Sequence, residues 1–206
     1  MVWIIQRLLS LRSHSPVGVA QLWIVSRLDR VLCKRTMKSL TEIKADVDRL
    51  AAMIGATGYH ALPTYGHTED FARPHIEVDS HGYHFVVVER GQVLDRFTTR
   101  EPDDLLCRIF QGVTFSLAID YELAHRIETQ DCRRLGFQRQ VELLSQLSKR
   151  WAEREAEEHE RILREHPFDD YSGIRASLTK ELRETGHSPE TAWQMACERY
   201  PLPVPA

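Results

Sequence analysis

No cysteine pair in this chain of 206 residues is spaced for zinc or redox chemistry. The four cysteines, Cys33, Cys107, Cys132 and Cys197, are scattered, with neither a C-x-x-C nor a C-x-H among them. That excludes the common structural zinc modules and a disulfide framework, and it leads us to expect reduced, mostly buried thiols in a reducing compartment. No long apolar run is present either. The longest, over 16–25, is interrupted by Gln21 and falls far short of the ~20 residues a membrane-spanning helix needs. A clean small-x-small cleavage site is missing, which argues against a secretory leader. There is no glycine-rich phosphate loop and no nucleophile elbow. A coiled coil is excluded at 151–165 because only Trp151, Ile162 and Leu163 are large and apolar.

Acids are almost absent from the first 36 residues. Arg7, Arg12, Arg27, Arg30, Lys34 and Arg35 face the single Asp29, so this stretch carries about five positive charges while the whole chain is at −3. The remainder is acidic, which disfavours nucleic acid as a partner and favours a basic protein. We therefore expect three segments. Residues 1–36 form a basic, weakly structured extension, with Met37 as the natural start in preference to an interfacial helix. Residues 37–170 form the main α+β domain, and 171–206 a helical tail.

With 42% hydrophobic and 28% charged residues, what is present is the composition of a folded globular body. Ile43, Val47, Leu50, Ala51 and Ile54 recur at the helical period, predicting a helix over 41–55 capped by Thr41, with a Lys44–Asp48 pair and Gly55 and Gly58 as stops. Residues 59–65 read as an extended segment or first strand. Strands follow at 75–78, 83–90 and 93–99, with Gly91-Gln92 as the reversal and the valines 86–88 largely buried. Pro102-Asp103-Asp104 opens a helix with Leu105, Leu106, Ile109 and Phe110 inward. Further helices are predicted at 113–126, 128–147, 151–165, 171–184 and 190–199, the last capped by Ser188. The fold expected is thus α+β: an N-terminal helix, a small antiparallel β-meander, then a helical C-terminal half packed on the sheet.

Two groups of residues invite a chemical reading. His60, His67, His75, His81 and His84 crowd into 25 residues, but adjacent strand positions face opposite ways, so we expect scattered histidines and no metal site. The segment 120–134 is dense in polar groups. On a continuous helix Tyr121, His125, Glu128 and Cys132 would share a face, with Glu122 and Arg126 paired beside it. An enzyme could use His125 as general base oriented by Glu128, making a small hydrolase or nuclease the alternative function. The blander expectation is an internal network fixing helices against the sheet. A regulator built on 171–199 would need a basic face, and Arg175, Lys180, Arg183 and Arg199 are balanced by acids.

The run VVVERGQ, the pattern DYEL-x-HRIE-x-QD-x-RR and the stretch QVELLSQLSKRWAERE ending at HPFDD resemble the immunity protein 63 family of bacterial polymorphic toxin systems, over roughly 59–170. The resemblance implies a cytoplasmic protein that neutralises a cognate toxin C-terminal domain by stoichiometric binding. It implies no enzymatic activity and no cofactor, and it brings no site residues with it. Charge then nominates contact residues. Glu69, Asp70, Glu77, Asp79, Glu89, Asp103 and Asp104 are candidate exposed acids, with Glu77, Asp79 and Glu89 expected first as partner-binding groups.

Overall fold

The computed structural model describes residues 37–56 and 62–204. Expectations placed on 1–36, Gly58, Tyr59 and His60 lie outside the described residues. Helix α1 spans Leu40–Met53. Its cap is Ser39 and not Thr41. The Ser39 hydroxyl accepts from the Glu42 N–H, and the Glu42 carboxylate accepts from the Ser39 N–H at 2.8 Å. Glu42 stands three residues after Ser39, so the reciprocal pair satisfies two orphan donors that Thr41 could not. The Lys44–Asp48 pair forms at 2.6 Å.

Four strands follow: β1 Thr64–Tyr65, β2 Pro74–Asp79, β3 Gly82–Glu89 and β4 Gln92–Thr99, in spatial order β1-β2-β3-β4. The β2–β3–β4 meander is antiparallel as expected. The sheet is nonetheless mixed, because β1 pairs parallel with β2, and the anticipated first strand shrinks to two residues. At the β2–β3 turn Gly82 has φ 152°, and a Cβ there would sit 2.4 Å from the Thr99 carbonyl oxygen, so the close approach of β4 requires glycine. Tyr83 and Phe85 point into the core and Val87 packs against it. Of the three valines only Val86 is fully buried, at 1% exposure, while Val87 and Val88 are half-buried beside a register shift. The bulge splays the hairpin tip, where Val93 and Leu94 are exposed.

Helix α2 runs unbroken over Pro102–Ala124, through the point near Gly112 where two helices were expected. One interior glycine costs only about 1 kcal/mol in helix propensity, which the buried face of Leu105, Leu106, Ile109, Phe110 and Val113 outweighs. Helix α3 spans Cys132–Leu147 and α4 Lys149–Glu165. Ser148 ends one and caps the other, its hydroxyl accepting from the Trp151 N–H. Trp151 stacks on Phe110 with centroids 6.1 Å apart. One core thus joins α1, the inner sheet face, α2, Leu144 of α3 and Trp151 of α4. Helices α5 (Ser172–Glu184) and α6 (Pro189–Arg199) form a terminal hairpin closed on Ala192 and Ala196. The buried Arg175 guanidinium reaches the Tyr200 carbonyl at 2.8 Å and also pairs with Asp169. Cys107, Cys132 and Cys197 are free thiols, and Cys132 is exposed where a buried thiol was expected. Among the described residues no helix is long and apolar enough to cross a membrane.

Candidate partner-binding site

The structure takes apart the helical face proposed for His125 and Glu128. Helix α2 ends at Ala124, and His125 already has non-helical φ and ψ. His125 is exposed, stacked on Tyr121 at 4.1 Å, with Nδ1 2.9 Å from the Tyr121 carbonyl. Glu128 lies in the following turn, also exposed, and no hydrogen bond joins the two among the described residues. His125→Ala and Glu128→Ala are each expected to shift the urea midpoint of unfolding by less than about 0.5 kcal/mol equivalent, as surface changes do.

The rest of this polar segment is a clamp. It does not hold helices to the sheet but fastens the start of α3 to the 166–170 loop. Asp131 caps α3, accepting from Arg133 N at 2.9 Å, and accepts from Asp169 N at 2.8 Å. Arg133 donates to the carbonyls of His166 and Pro167, both at 2.8 Å. Arg134 is bidentate on Asp170 at 2.7 and 2.8 Å and lies over the Phe168 ring. The anticipated Glu122–Arg126 pair forms in the same bidentate way, with the Glu122 carboxylate buried and held below its ordinary range by Arg126.

The candidate acids fare unequally. Glu77, Asp79, His75 and His84 sit on the outer sheet face. Glu77 is 3.1 Å from His75 Nε2 and accepts from Arg96 at 3.2 Å. Burial would raise its carboxyl, but His75 and Arg96 outweigh that and lower it. Asp79 is shared by His84, whose Nε2 is 3.0 Å away though poorly angled for a hydrogen bond, and by the backbone N–H groups of His81 and Gly82. His84 first, then the His81 N–H, holds its carboxyl far below the usual range. Asp103 is taken by Arg150 and by the Trp151 indole N–H. Glu89 is half-buried at the end of β3. His67 is exposed, with Nδ1 3.1 Å from the Tyr65 carbonyl and Nε2 3.9 Å from Glu69. Among the described residues no three His, Cys, Asp or Glu side chains are placed to hold a metal ion.

Two concavities flank α2, and both touch Gly112. The first is a cavity of about 730 Å³ between α2 and the 69–74 loop. Pro63, Phe71, Pro74, Phe85, Ile109 and Val113 give it apolar walls, and Glu69, Asp70 and Arg73 bring charge to it. Its loop is strained. Asp70, Phe71 and Ala72 have successive φ values of 61°, 53° and 57°, a left-handed run without glycine that costs on the order of 1 kcal/mol or more per residue. The run is held by Ala72 N–H on the Val88 carbonyl at 2.9 Å and by the Arg73 guanidinium on the Leu62 carbonyl at 3.1–3.2 Å. The Ala72 bond places the loop beside Glu89. The strain serves no burial, because Phe71 stands 91% exposed.

The second cavity, about 660 Å³, lies among α2, α3 and α4. At its floor a buried carboxylate, Glu155, accepts from Gln111 at 2.8 Å and Gln140 at 2.9 Å, with His159 3.4 Å away and stacked on Phe137. The Gln111 and Gln140 amides already donate to Glu155, while Arg108 and Arg161 at the rim are taken by Asp95 and by Glu158 and Glu165, so the group staples three helices. Sequence reading missed this network because α4 looks wholly solvated; the Glu155–His159 spacing of four was the available signal. Phe71 was missed too, since a lone Phe in a loop reads as core.

Along the outer edge of α2, Phe115, Ile119 and Leu123 are exposed at 50%, 38% and 58%.

Residues 79–161, from the end of β2 through most of α4, match the family model of immunity protein 63. The resemblance thus holds over a shorter stretch than 59–170, and the strained loop lies just outside it. No curated protein matches the chain, and no solved structure does.

Proposed function

We propose that the chain is an immunity protein that binds the C-terminal domain of a cognate polymorphic toxin in the cytoplasm of the producing cell and blocks it without chemistry of its own. The observation that carries this reading is the immunity protein 63 match over 79–161. It spans β3, β4, α2, α3 and most of α4, which supply most of the core, α1 and Ile76 of β2 completing it. The exposed side chains of Phe71, Phe115, Ile119 and Leu123, and the apolar-walled cavity beside α2, support it. Residues 37–170 make up the binding body in this reading, with 171–206 as its tail. Glu77, Asp79 and Glu89 steer a basic toxin; since the first two already serve His75, His84 and Arg96, their contribution goes to encounter rate and its salt dependence more than to contact.

The test is co-expression. Cells carrying the toxin domain encoded beside this chain survive when the chain is present and die when it is absent. Survival with no complex recovered between the two proteins would replace binding by enzymatic detoxification. Death despite soluble chain would refute the reading for that pair.

A further inference from the structure

The cavity between the 69–74 loop and α2 has three properties that its own fold does not call for. Its loop is held in a left-handed run that puts Phe71 into solvent. Its charge is unbalanced. Arg73 pairs with Glu69, but Asp70 has no ion pair among the described residues, and its Oδ1 is closed off from solvent without a hydrogen-bond partner. Its far wall is lowered by Gly112, mid-helix, where an added Cβ would meet nothing within 4 Å and where φ is not in the left-handed range. Alanine would fit there and favour the helix, so the fold has no use for the missing side chain. Gly112 borders both cavities, and exposed Phe115 borders the second.

An apolar shaft with one surplus carboxylate is complementary to a lysine or arginine, whose stem packs on apolar walls while its head meets a carboxylate. Arginine, with tryptophan and tyrosine, is enriched among the residues that carry most of an interface's binding energy. We infer that this cavity receives one long cationic side chain of the toxin domain, its head at Asp70 and its stem along Phe85, Ile109 and Val113, while apolar surface of the same partner lies over Phe71, Gly112 and Phe115. The identity of the partner rests on the immunity reading; the chemistry of the site rests on the cavity. The strain in the loop is then a device that holds Phe71 ready before the partner arrives, avoiding an ordering cost on binding.

The experiment is calorimetric titration of the inactivated toxin domain, encoded beside this chain, into the wild-type chain and into Phe71→Ala, Asp70→Asn and Gly112→Trp, each first checked by thermal unfolding. All three should stay folded, since Phe71 is exposed and the Gly112 site is open. Kd should rise about 30-fold for Phe71→Ala and about 10-fold for Asp70→Asn, with binding lost in Gly112→Trp. Gly112→Ala should raise Tm, and Phe71→Gly should raise Tm while weakening binding, a split that a structural role for Phe71 would not produce. Wild-type binding with all three variants within twofold of it overturns the inference and leaves the immunity reading intact. Loss in Phe71→Ala with none in Asp70→Asn overturns the cationic anchor. A wild-type chain that self-associates in sedimentation, and is made monomeric by Gly112→Trp, gives the surface to a second copy instead. No wild-type binding at all removes both the inference and the immunity reading.

Discussion

Glu155→Ala is expected to cost about 3 kcal/mol of folding stability, because it leaves buried amide donors without their acceptor. Glu155 is only 7% exposed. Its two oxygens take the Gln111 and Gln140 amides, and its position beside His159 closes the ring with Gln140 Oε1, 3.2 Å from His159 Nε2. Truncation would leave two amide donors and an imidazole without the acceptor they share. Burial pushes the Glu155 carboxyl up, but His159 and Gln111 outweigh it and bring it below its ordinary value. A depressed carboxyl contributes stability above its unfolded pKa and loses it as pH falls through the folded one. Urea unfolding followed by circular dichroism reads the effect. Glu155→Gln, which keeps one acceptor but sets an amide donor against Gln111 or Gln140, should lose an intermediate amount. A loss below about 1 kcal/mol in Glu155→Ala would show that the three helices are held by the packing of Phe110, Leu144 and Trp151.

Asp131→Ala is expected to cost about 3 kcal/mol, combining a helix N-cap of about 1 kcal/mol with buried charge-assisted hydrogen bonds. Asp131 is 6% exposed and accepts from the Arg133 and Asp169 backbone and from the Arg133 side chain. Burial alone would raise its carboxyl. The Arg133 guanidinium and the two N–H groups more than reverse that and set it at about 2, against 3.8 when unperturbed. The sign follows directly. The folded value is depressed, so the contribution is complete above about pH 4 and is lost between about pH 4 and pH 2. Wild-type stability should fall through that window, and the fall should be shallower in Asp131→Asn. Equal slopes would show that the clamp at the start of α3 is not what acid dissolves.

The parts of this fold that could be read from residues are those where local chemistry decides. Runs of β-branched and aromatic residues between turn residues placed β2, β3 and β4 to within one residue at each end, and Ser188-Pro189 placed the start of α6. The errors lie where local signals tie or where distant packing decides. Ser39 and Thr41 are both acceptable caps, and only the Glu42 return bond chooses between them. Gly112 reads as a break, but a buried face on either side carries the helix across it. His125 reads as helical until Asp131 captures Arg133 and forces a new helix start, which removes the apparent His125–Glu128 face. Acids beside the sheet were legible as a set, Asp70 among them. Which of them stays uncommitted was not, because it depends on Arg96, His84 and Arg150 arriving from elsewhere in the chain.

The central claim, stoichiometric binding of a toxin domain, is tested most directly by titrating the purified, inactivated domain encoded beside this chain into the full chain by calorimetry. Saturation is expected at one domain per chain, with affinity that weakens as salt rises because acidic groups speed encounter. An absence of binding heat at any temperature or salt, with both proteins folded, would contradict it.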